Sequence, residues 1–145
     1  MMTLLEFSEM VEADDPALSR LFRELLTESR LSPSLKLANL SKREFMILAD
    51  LAVERLSEIE GIKFIKAKGA FYMMIDVRKL LDKLKMNSEE FVKMLIEKYG
   101  VAFLHGTALG SYGEGYIRLS FSVAESNIVD GLERFKRAVN DILRS

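Results

Sequence analysis

The residues best suited to chemistry sit late in the chain. Residues 116–121 read Tyr-Ile-Arg-Leu-Ser-Phe. The two-residue period of a strand sends Ile117, Leu119 and Phe121 to one face and Tyr116, Arg118 and Ser120 to the other. An arginine is thereby fixed in mid-strand on the polar face. A guanidinium is a rigid planar fork matched to carboxylate or phosphate, so Arg118 has the form of an anion grip. The same alternation suits a plain solvated face, the commoner setting of a strand arginine. Just upstream, Gly106, Gly110, Gly113 and Gly115 are four of the chain's eight glycines. Glycine permits left-handed backbone angles and close approach of a ligand or another surface. The spacing is neither GxGxxG nor a Walker loop, and it leads into a strand instead of a helix N-terminus, which argues against a nucleotide cradle.

Other reactive residue types are few. His105 is the only histidine. No serine or aspartate stands in a triad pattern with it, so a packed or exposed role suits it better than general-base catalysis. Lys36 follows Ser32 and Ser34, yet nothing around it argues for the burial that makes a lysine a Schiff-base nucleophile, and it reads as an ordinary surface residue. The eight methionines, Met73 and Met74 among them, read as gap-filling core. There is no cysteine, which excludes disulfides, thiolate nucleophiles and iron–sulfur clusters. With one histidine, a His-rich metal centre is also without ligands.

These residues need a scaffold, and the chain is the right size for one. It has 145 residues, 49% hydrophobic and 30% charged, which suits one folded domain and excludes a disordered or collagen-like chain. Twenty-one basic side chains against twenty-two acidic ones leave a formal charge of −1, so no field draws the chain to nucleic acid or an anionic membrane. No apolar run approaches the ~20 residues of a membrane span, and residues 1–10 lack a basic leader region. A soluble cytoplasmic protein is expected.

Periodicity predicts the elements. Leu18, Leu21, Phe22, Leu25 and Leu26 follow helical spacing after Pro16. Ser41 with Glu44 has capping-box spacing and opens a long helix that Gly61 should close. Residues 62–65 and 70–77 read as a β-hairpin. A short helix over 78–85 comes next, then a second capping box at Asn87 and Glu90 opens a helix closed by Gly100. A strand over 101–104, the glycine-rich loop, the strand carrying Arg118 and a last helix capped by Ser122 with Glu125 complete the order. This predicts an α+β two-layer sandwich, a small mixed or antiparallel sheet with helices on one face. Residues 1–40 are expected to form a helical N-terminal segment and residues 41–145 the domain.

Three separated stretches then resemble one family in order and spacing: Lys68-Gly69-Ala70-Phe71-Tyr72, the run from Gly100-Val101 to His105-Gly106-Thr107, and Tyr112 to Phe121. They are similar to the C-terminal small domain of class I/II, fold-type I, pyridoxal-phosphate-dependent aminotransferases, over about residues 42–145. The His-Gly-Thr form of the loop resembles the alanine-aminotransferase-like branch. The resemblance implies that Arg118 grips the substrate α-carboxylate, that Tyr72 faces the same cleft and that the backbone at Gly106 comes close to the substrate.

It also implies what this stretch lacks. Full members carry a preceding large domain with the Schiff-base lysine, in a Ser-x-x-Lys motif followed by Gly-x-Arg, and an Asp for the pyridine nitrogen. Lys36 has no downstream Gly-x-Arg. The cofactor supplies the electron sink of transamination, so the chain by itself is expected neither to bind pyridoxal phosphate covalently nor to transaminate. Its partners are then the carboxylate of an amino acid or 2-oxo acid and a large-domain chain or a second copy. A non-catalytic amino-acid-binding or interaction module is the alternative. An ACT-like ligand sensor has a different element order.

Overall fold

The computed structural model describes residues 42–66 and 72–145. The Ser41 cap, the helix after Pro16, Lys36 and the turn around Lys68 lie outside them.

Helix α1, Lys42–Ser57, buries Leu48, Ala52 and Leu56 at four-residue spacing, one stripe of an amphipathic helix. It stops short of Gly61. Ser57 Oγ donates to the Val53 carbonyl at 2.7 Å, and Glu58 and Ile59 donate to carbonyls three residues back. The tightened turn ends the helix before the glycine, whose φ is +87°.

Strand β1, Lys63–Ile65, and strand β2, Tyr72–Asp76, form the antiparallel hairpin. Helix α2, Arg78–Leu84, follows and ends at a left-handed Lys85. Helix α3, Ser88–Tyr99, opens with the expected capping box: Asn87 Oδ1 accepts from the Glu90 N–H at 2.9 Å and Glu90 Oε2 from the Asn87 N–H at 3.0 Å. Gly100, with φ +66°, closes it.

Strand β3 is Leu104–His105 instead of the predicted 101–104. Val101 and Phe103 are drawn into the core, where the Phe103 ring stands 4.8 Å from that of Phe135. Two 3₁₀ turns, Gly106–Leu109 and Ser111–Gly113, organise the loop. Strand β4 is Tyr116–Ser120 and helix α4 is Glu125–Arg144. Ser122 does not cap α4. The N-cap is Ala124, with no side-chain bond, and its carbonyl accepts from Asn127 and Ile128. The helix starts too late for Ser122 to reach its first turn.

The sheet order is β1-β2-β4-β3, antiparallel at every pairing. Its inner face carries the pairs Met73–Leu119 and Ile75–Ile117. These join one apolar core with Leu80, Phe91 and Leu95 and with the α4 stripe Ile128, Leu132, Phe135, Val139 and Ile142. The predicted α+β two-layer arrangement is the observed one, and the other face of the sheet is turned away from that core.

Candidate functional site

Register determines what surrounds Arg118. It pairs with Met74 on β2 and with Leu104 on β3, and Met74 pairs with Ile65 on β1. One row therefore crosses the outer face as Ile65, Met74, Arg118, Leu104. Directly opposed residues share a face, so the arginine is bracketed by apolar side chains. Tyr72, paired with Ser120, stands diagonally from it. Its ring centroid is 4.9 Å from the guanidinium carbon of Arg118, a cation–π distance.

Arg118 is half-buried, and burial lowers its pKa while Tyr72 acts in the opposite sense. A partly desolvated guanidinium gains more from a bound anion than a hydrated one does. Tyr72, 40% exposed, and Ile65, 68% exposed, keep this face open among the described residues.

The adjacent row is electrostatically different. Lys63, Asp76 and Tyr116 face one another across β1, β2 and β4. Arg78, two residues past Asp76, donates from Nε to Oδ1 at 3.0 Å and from Nη2 to Oδ2 at 2.6 Å. Its guanidinium also lies 5.4 Å from the Tyr116 ring centroid. The bidentate bond to Arg78 holds the Asp76 carboxyl below the ordinary range. This cluster was not foreseen; the Asp-x-Arg spacing at the strand–helix junction is the signal that would have found it.

The loop is braced at two points. A Cβ on Gly106 would fall on the Gly113 carbonyl and one on Gly113 on the Gly106 carbonyl, so the two backbones cross where no side chain fits. Glu114 then reaches α3: Ser88 donates its N–H to Oε1 at 2.8 Å and its hydroxyl to Oε2 at 2.9 Å. Of the residues singled out by sequence, Tyr72 and Arg118 come together, while Gly106 has a role inside the loop itself. His105 Nδ1 lies 2.6 Å from Thr107 Oγ1. Met73 is core and Met74 is on the outer face. No metal-binding group of His, Asp or Glu occurs among the described residues, and no described helix is long and apolar enough to cross a membrane.

The model of the family "Aminotransferase class I and II" matches residues 26–135. The chain belongs to that family. An aspartate aminotransferase of Pyrococcus horikoshii is 33% identical over 110 residues, covering 76% of this chain and 27% of that relative. The alanine aminotransferase structure from Pyrococcus furiosus superposes with a TM-score of 0.59 at 27% identity, over 68% of this chain and 24% of the other. A PLP-bound putative aminotransferase from Clostridium difficile 630 gives 0.59 at 26% identity, with the same coverage. The chain thus spans about a quarter of the length of the aminotransferases it matches.

Pyridoxal phosphate is the cofactor of these enzymes, and a lysine that holds it must be desolvated enough to lose its proton. Among the lysines whose side chains are described, all but Lys136 are exposed, and Lys136 donates to Glu58 at 2.8 Å. That pairing raises its pKa. The described lysines do not fit a covalent cofactor site.

Proposed function

We propose that this chain supplies the carboxylate-binding small domain of an aminotransferase. Arg118 grips the carboxylate of an amino acid or 2-oxo acid, Tyr72 steadies the guanidinium and Gly106 keeps the loop backbone close to the substrate. The observation that carries this reading is a half-buried arginine, fixed in mid-strand and stacked on Tyr72, on the outer face of the sheet. Such a fork surrenders little freedom when a planar carboxylate binds.

Amino-group transfer needs the electron sink of the cofactor. That the described lysines are exposed or paired supports a chain that does not transaminate by itself; a large-domain chain or a second copy, meeting this domain in the cytoplasm, completes the site. Residues 41–145 are the working domain and residues 1–40 a segment appended to it. The same lysines favour the second reading, a module that binds carboxylates without chemistry.

Two measurements test this. In an acetate titration followed by NMR, the Arg118 Nε–H resonance should shift, and Arg118→Gln should abolish binding; binding unaffected by that substitution removes the assigned role. Borohydride trapping after addition of pyridoxal phosphate should leave no single lysine stoichiometrically modified. One fully modified lysine would show that the chain holds the cofactor itself.

A further inference from the structure

The surroundings of Arg118 also bear on what the carboxylate is attached to. We infer that the ligand held at Arg118 is a monocarboxylate with an apolar or aromatic side chain, which lies along the row formed by Met74 and Ile65. This rests on the reading of Arg118 as a carboxylate grip.

The argument is one of directions across the sheet. Neighbouring strands are about 4.8 Å apart, so a side chain leaving Arg118 toward β1 crosses Met74 and then Ile65, and one leaving toward β3 meets Leu104. Both directions are apolar. Along β4 the next outward residues are Ser120, beside Tyr72, and Tyr116, beside Asp76. A second carboxylate directed toward Tyr116 would therefore meet an anion.

The cations nearest that end stand beside an acid. Arg78 is held bidentately by Asp76, and Lys63 faces the same carboxylate across β1. Lys66 is paired with Asp50 at 3.1 Å. A dicarboxylate that reaches Arg78 or Lys66 must break an existing pair, one that reaches Lys63 meets the Asp76 carboxylate across from it, and leaving Asp76 unpaired carries its own desolvation cost. An apolar chain instead covers Met74 and Ile65, the latter 68% exposed, and gains the hydrophobic term.

The experiment is a titration of the full chain with acetate, isocaproate, hydrocinnamate, succinate and glutarate, followed at the Arg118 Nε–H by NMR. Isocaproate and hydrocinnamate should bind about fivefold or more tightly than acetate, the effect of partial side-chain burial. Succinate and glutarate should stay within about twofold of acetate, because only one carboxylate is held at a time. Met74→Lys should raise glutarate affinity several-fold, with Leu104→Lys as the substitute if the first variant does not fold. Dicarboxylates binding as tightly as hydrocinnamate, with binding still lost in Arg118→Gln, would overturn this inference and leave the carboxylate grip standing. Failure of every acid to bind through Arg118 would remove both.

Discussion

Ser88 and Glu114 are 26 residues apart and meet through two hydrogen bonds, with both Glu114 oxygens accepting from the first residue of α3. Ser88 is fully buried, so the contact ties the glycine-rich loop to a helix N-terminus, where a carboxylate is also favoured by the helix dipole. Replacing Glu114 by Ala strands the buried hydroxyl, and a loss of about 1–3 kcal/mol is expected. Ser88→Ala keeps the backbone bond and should cost less. Urea denaturation of the two variants checks the order.

The crossing of Gly106 and Gly113 leaves no room for a methyl group on either. Gly106→Ala and Gly113→Ala should each destabilise by about 3 kcal/mol or more, because the obstacle is backbone that cannot rotate away. Gly110 has open space around it but a φ of +128°, so Gly110→Ala should cost about 1–3 kcal/mol from backbone strain alone. Thermal melts of the three variants separate steric from conformational cost.

Asp76 supplies a pH dependence with a definite sign. Its folded pKa lies below the unfolded value because of Arg78. The unfolded chain therefore takes up the proton first as pH falls. The contribution is whole above the ordinary aspartate pKa of about 3.9 and disappears as pH drops through the lower folded value. Wild type should exceed Asp76→Asn in stability at neutral pH, and the gap should close in acid. Urea midpoints measured across that range report it.

Tyr72 should act through its ring. Tyr72→Phe keeps the face that Arg118 lies against and should leave acetate affinity nearly unchanged. Tyr72→Ala removes a cation–π contact worth about 0.5–1 kcal/mol at exposed sites and should weaken binding severalfold. Equal affinities for the two variants would mean that the ring does not position the guanidinium.

What the sequence made legible was local. The alternation around Arg118 specified the faces of β4, and Asn87 with Glu90 specified the start of α3, because both signals lie within a few residues. Ser122 with Glu125 has the same spacing as that capping box and yet caps nothing, since the spacing does not say where the first helical turn begins. Phe103 read as part of a strand, but the Phe135 ring across the core decides its place. The bond between Ser88 and Glu114 and the apolar row beside Arg118 depend on long-range register. No local pattern encodes them.

The two outer strands of the sheet have a further consequence. Among the described residues β1 has three and β3 only two, so each border offers a very short ladder of backbone groups to an incoming chain. Lys63, the first residue of the longer one, and Lys66, just past it, are both exposed. Fibrillar assembly needs a long, flat, uncharged border on which to template. The described residues provide none on either side, so the outer face around Arg118 can serve a ligand without inviting strand-by-strand growth.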